Sequence, residues 1–148
     1  RDTYWPGGDI MIIDMPPGTG DTQLSISQLC ELTGTVIVST PQDVALIDAV
    51  KAAKMFTKVE IDVLGIVENM SFFACPKCGE ETPIFSRYGA EETSKKIQAP
   101  FLGAIPIELE VRKGGDDGKP LMASNLDSPA SMAFKNIADN LVKVLEEG

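Results

Sequence analysis

The sequence predicts an α/β protein built on a parallel sheet. Its short apolar runs are continuous rather than alternating, as in strands covered on both faces. Longer segments with helical spacing separate these runs. The resulting order, β-α-β-α-β-α-β-α, calls for right-handed crossovers.

Ile10–Ile13 reads as a first buried strand ending at Asp14. Asp21 is placed to cap a helix through about Leu32. Thr35–Ser39 is the second strand. Thr40-Pro41-Gln42-Asp43 reads as a capping box with Pro at the first helical position. The helix it opens runs to about Lys58, with Leu46, Val50 and Ala53 on one face. Val63–Val67 is the third strand, Ala90–Ile97 the next helix, and Phe101–Ile105 the fourth strand. Ser128-Pro129 starts the last helix, where Phe134, Ile137, Ala138, Leu141 and Leu145 form an apolar stripe.

Ligands in such sheets bind at the carboxyl ends of the strands. That rule singles out Asp14, Asn69 and Pro106. Two loops, 70–88 and 106–127, are long enough to suggest function.

The chain has 148 residues, the size of one domain, and is 43% hydrophobic and 24% charged. Lys and Arg total 13 against 22 Asp and Glu, a net charge of -9. That balance argues against gripping nucleic acid or an anionic membrane by bulk charge. A local loop can still hold one nucleotide. With no histidine, His-based triads and His metal ligands are excluded. No apolar run is long enough to span a membrane, and no signal peptide is evident. The first residue is Arg1, so the chain reads as a piece of a longer protein, and a missing leader says little about the parent.

Three motifs could carry chemistry. In Asp14-Met15-Pro16-Pro17-Gly18-Thr19-Gly20-Asp21, a strand-end Asp can hold Mg²⁺ and the glycines let backbone N–H groups approach a phosphate. The same run serves equally as a tight strand-to-helix turn. Cys75-Pro76-Lys77-Cys78-Gly79 offers two thiols close in sequence, and Lys77 between them favours thiolate. A metal or iron–sulfur cluster usually takes four protein ligands, so a two-fold dimer giving two cysteines per subunit is the simplest completion. A redox disulfide and half of a zinc knuckle compete with it. Cys30 is expected to be a small core residue on a helix. Asn69, in Glu68-Asn69-Met70, can read a purine edge or simply form a turn. Gly114–Pro120 fails the phosphate-loop pattern at Lys113 and Pro120 and reads as a surface turn.

Taken in order, the Asp14–Asp21 run, Ser39-Thr40-Pro41-Gln42-Asp43-Val44-Ala45-Leu46, Gly65-Ile66-Val67-Glu68-Asn69-Met70-Ser71 and Cys75-Pro76-Lys77-Cys78-Gly79 resemble the C-terminal part of Mrp-type iron–sulfur cluster carrier proteins. These belong to the MinD/ParA-like class of P-loop ATPases. The similarity continues through Gly118-Lys119-Pro120 and Asp127-Ser128-Pro129-Ala130.

The resemblance implies a three-layer α/β/α P-loop NTPase, with residues 1–148 forming the C-terminal part of one such domain and the Cys-x-x-Cys loop at about 70–88. It implies a homodimer that binds ATP and Mg²⁺, holds a [4Fe–4S] cluster between subunits and passes it to apo iron–sulfur proteins. By that analogy Asp14 serves Mg²⁺, the loop at Gly18 senses the γ-phosphate, and Asn69 binds adenine. Pro106 and Glu108 line the base pocket, and Cys75 and Cys78 ligate the cluster.

The family's phosphate loop has no counterpart after Arg1. The sheet is therefore expected to be incomplete at its N-terminus, and this chain alone to bind ATP poorly and not hydrolyse it. Two other readings stand beside this one: a non-catalytic zinc-binding or interaction module, and a positioning ATPase of the MinD/ParA type without a cluster. The cysteine usage fits a reducing compartment, cytoplasmic or, with an upstream transit peptide, mitochondrial or plastid.

Overall fold

The computed structural model describes residues 7–16, 20–75, 77–85 and 89–147. Its centre is a three-stranded parallel sheet in the order β1 (Thr35–Ser39), β2 (Val63–Glu68), β5 (Phe101–Ala104). Ile37 pairs with Ile66 and Ser39 with Glu68, while Glu68 pairs on its other side with Ala104. All three carboxyl ends therefore lie along one edge.

Alternate residues of each strand feed two cores. On one face Ile37 and Ile66 pack with Ala49 and Ala53 of α2 (Asp43–Lys58) and Ala90 of α3 (Gly89–Ile97). On the other, Val67, Leu102 and Ile105 pack with Ala130 and, less deeply, with Ile137, Leu141 and Val144 of α6 (Pro129–Glu147). The result is three layers, helix on sheet on helix, as expected from continuous apolar strands. Gly103 lies against α6 with φ +152, and a Cβ there would stand 2.8 Å from Ile137 Cγ1. The Asn140 side chain ties the same helix to the sheet by donating to the Leu102 carbonyl at 2.9 Å.

Several local expectations are corrected. Ile10–Ile13 forms no strand, and Ile12 is 84% exposed. A strand is made by hydrogen bonds to a neighbour, and among the described residues none pairs with this run; apolar character alone does not supply one. The helix expected through Leu32 is α1 (Asp21–Leu29), with Gly20 at its N-cap and Asp21 inside the first turn. The capping box does not form. Gln42 is the N-cap of α2 without a side-chain cap, because the Thr40 hydroxyl instead donates to the Gln42 amide oxygen at 2.7 Å.

The two long loops contain structure of their own. The first holds a small antiparallel hairpin, β3 (Phe73–Ala74) with β4 (Glu81–Thr82). The second holds α4 (Leu109–Asp116) and α5 (Leu121–Ser124). The surface turn expected over Gly114–Pro120 is thus partly helical; the chain turns out of α4 at Gly118, with φ +66.

Candidate functional site

The carboxyl end of β2 is where the candidate residues gather. The Asn69 N–H donates to the Ser39 carbonyl at 2.7 Å, extending the β1–β2 ladder by one step. Its side-chain oxygen accepts the Met70 N–H at 2.9 Å, and Met70 is left-handed with φ 56. Asn69 is therefore a turn former here, whatever else its amide does. The chain reverses, and the Ser71 N–H donates to the Ile105 carbonyl at 3.0 Å.

From there the hairpin rises beside the end of β5. Phe73 bridges to Ile107 in parallel, and the Ile107 N–H donates to the Phe72 carbonyl at 2.6 Å. The Cys75 N–H donates to the Glu80 carbonyl at 2.9 Å, and the Gly79 N–H to the Cys75 carbonyl at 2.8 Å. Gly79 has φ +74, a left-handed turn conformation that glycine adopts without steric cost. Cys75 and Cys78 thus sit at a hairpin tip, Cys75 half-buried, Cys78 exposed, and both free thiols.

The Cys75 thiol is held below its ordinary value of 9.0. The Lys77 N–H contributes most, followed by the Cys78 N–H and the Cys78 side chain, with burial opposing. Lys77 thus acts on the thiol through its backbone N–H. No cluster of three or more metal-capable side chains exists among the described residues. The pair is a two-donor site.

The remaining candidates divide. Pro106 is buried, next to Ile105, at the end of β5. Glu108 is half-buried, and its carboxylate accepts the Ala130 N–H at 3.2 Å, at the start of α6. Asp14 is exposed in a stretch without regular secondary structure, so it does not sit on a strand tip as expected. Gly18 lies outside the described residues. Cys30, expected in the core, is exposed at the C-cap of α1; α1 ends before it and leaves its side chain in solvent.

The same edge holds a further residue to which the sequence alone assigns no role. Glu68 is only 1% exposed, yet carries a carboxylate. One of its oxygens accepts the Ser71 hydroxyl, and the other accepts the Ala90 N–H at 2.8 Å, in the first turn of α3. Its carbonyl accepts the Ile105 N–H at 2.8 Å. The available signal was a carboxylate closing a buried strand, since such a group must find partners.

Comparison with known proteins follows this geometry. Residues 1–142 match the model of a ParA-type family described as NUBPL iron-transfer P-loop NTPase. The chain belongs to this family. It is 50% identical over 146 residues to the iron-sulfur cluster transfer protein NUBPL of Dictyostelium discoideum, a match covering 99% of this chain and 45% of that protein. Among solved structures it resembles the nucleotide-binding protein of Archaeoglobus fulgidus in complex with ADP. That likeness has a TM-score of 0.67 and 39% identity, and covers 81% of this chain and 48% of the other. The cell division ATPase MinD of Pyrococcus furiosus shares the fold, with a TM-score of 0.58 at 22% identity, over 76% of this chain and 43% of that one. The architecture is thus the MinD-like P-loop NTPase fold. The chain spans less than half the length of the Dictyostelium relative.

Proposed function

We propose that this chain is part of an ATP-dependent iron–sulfur cluster carrier, which holds a [4Fe–4S] cluster between two copies and passes it to apo-proteins. The observation that carries this reading is the hairpin tip. It offers Cys75 and Cys78 as free thiols, one shifted toward thiolate, with no third metal-capable residue grouped near them among the described residues. A cluster needs about four protein ligands, which two such tips supply. The name of the Dictyostelium relative, a cluster transfer protein, points the same way.

Nucleotide binding belongs to the same strand-end edge. Asn69 carries the amide donors that an adenine acceptor requires, and Pro106 and Glu108 border the same edge from the end of β5. Glu108 also caps α6, so only part of its acceptor capacity faces a base. Mg²⁺ takes oxygen ligands and is commonly bound through one or two carboxylates together with phosphates, so an exposed Asp14 fits as its protein ligand. The loop at Gly18, outside the described residues, takes the role of γ-phosphate sensor that the resemblance implies. The ADP held by the Archaeoglobus protein supports nucleotide as a ligand of this class. No described helix is long and apolar enough to cross a membrane. Free thiols at an exposed tip favour a reducing compartment such as the cytoplasm or an organelle matrix.

The test is cluster transfer. Full-length protein reconstituted anaerobically with iron and sulfide should convert an apo-ferredoxin to its holo form faster than free iron and sulfide do. Stoichiometric zinc without labile sulfide in anaerobically purified material would instead favour a zinc module.

A further inference from the structure

One buried acidic side chain has no part in either proposed site. Glu68 closes β2 between Val67 of the core and Asn69 of the strand-end edge, and its carboxylate has a partner on each oxygen. One partner, Ser71, is the root of the cysteine hairpin. The other, Ala90, is in the first turn of α3, where the helix dipole favours a negative group. The backbone of Glu68 is fixed as well, between Ser39 and Ala104, with its carbonyl on the Ile105 N–H. Segment 68–71 is therefore clamped at both ends, and the left-handed Met70 lies between the clamps.

We infer that Glu68 is a positioning residue that couples nucleotide binding at Asn69 to the geometry of the Cys75–Cys78 tip, through its hydrogen bond to Ser71 and its anchor on α3. A base that pulls on Asn69 moves the peptide next to Glu68. The carboxylate cannot follow freely, because Ala90 holds its other oxygen. Because the Ser71 hydroxyl is bonded to that same held carboxylate, the anchor acts as a pivot about which the 69–71 turn carries the shift into the hairpin. Asn69 and the hairpin are separately tied to the sheet by backbone bonds to Ser39 and Ile105. Loss of the side-chain link leaves both sites formed, but the turn at Met70, still joined to them through the backbone, then has no pivot and absorbs the shift. A shorter carboxylate is the discriminating change: Glu68→Asp keeps the charge but cannot span both partners.

This inference rests on the proposed nucleotide and cysteine sites, and its test reads the thiols without requiring a cluster. In full-length, cluster-free protein, the alkylation rate of Cys75 and Cys78 by iodoacetamide is measured by mass spectrometry with and without ATP. The wild type should change rate about fivefold or more on ATP binding, the lower range of typical coupling between sites. Glu68→Asp should bind ATP and melt as a folded protein, yet respond less than about twofold. Should Glu68→Asp fail to fold, Ser71→Ala breaks the same link from the hairpin side and is expected to give the same loss. A wild type without an ATP response, or a folded variant responding as the wild type does, overturns the inference. Failure of cluster transfer with an intact, Glu68-dependent thiol response would count against the carrier reading alone.

Discussion

The Cys75 N–H donates to the carbonyl of Glu80 at 2.9 Å, so a backbone bond closes the loop that carries both thiols. The tip is consequently pre-shaped by its backbone, whose Lys77 and Cys78 N–H groups also face the Cys75 sulfur, and neither sulfur is tied up in a disulfide.

Replacing the sulfurs tests function and stability separately. Cys75→Ser and Cys78→Ser should each abolish retention of iron and labile sulfide, and at the exposed Cys78 the unfolding free energy should change by less than about 0.5 kcal/mol, as for surface substitutions generally. Metal and sulfide analysis beside urea denaturation checks both halves. Variants that keep a full cluster would show that other ligands hold it.

The lowered Cys75 thiol gives a pH signature. Alkylation follows the thiolate, so the rate at Cys75 rises with pH and should reach its half-maximum below pH 9.0. Site-resolved alkylation across pH, with free cysteine as reference, measures this. Because the largest contribution is the Lys77 N–H, Lys77→Ala should leave the midpoint nearly in place, whereas a dominant ammonium effect would raise it.

Contact between β5 and α6 predicts a sharp response at Gly103. Gly103→Ala places a Cβ 2.8 Å from Ile137 Cγ1 at a backbone φ of +152 that side chains rarely adopt. A loss of about 1–3 kcal/mol is expected from overpacking and strain together. Combining Gly103→Ala with Ile137→Ala, which removes Cγ1, should relieve the clash but not the backbone strain, visible as a loss in urea midpoint smaller than the sum of the two single losses.

Burial on the same face sets another expectation. Leu102 is 1% exposed, and Leu102→Ala should cost about 2–5 kcal/mol. At the start of α6, the Ser131 N–H donates to the Ser128 hydroxyl at 3.1 Å, and Ser128→Ala should cost about 1 kcal/mol for the lost cap. Thermal and denaturant melts rank the two.

Most of the fold was legible because burial on two faces writes itself as unbroken apolar runs. Thr35–Ser39, Val63–Glu68 and Phe101–Ala104 are strands almost to the residue, and Pro129 does open the last helix. Ile10–Ile13 looked the same and is not a strand, because a run records apolar character while pairing depends on a neighbour elsewhere. The capping box at Thr40 failed for a local reason, since its hydroxyl found the Gln42 side chain first. Short elements such as β3, β4 and α5 have too few residues to show a period. Of the proposed site, spacing marked Cys75 and Cys78 as a close thiol pair, and the hairpin carries both at its tip. The role of Glu68 was not legible, because its partners Ser71 and Ala90 meet only once the sheet and α3 are in place.

The central claim is that one copy provides half of a coordination sphere. Counting iron and labile sulfide per protomer, with the mass of the same anaerobic sample measured by native mass spectrometry, tests it most directly. The account predicts a dimer carrying about two irons per protomer, one four-iron cluster shared by two chains. A monomer with four irons and four sulfides bound to a single chain would contradict it.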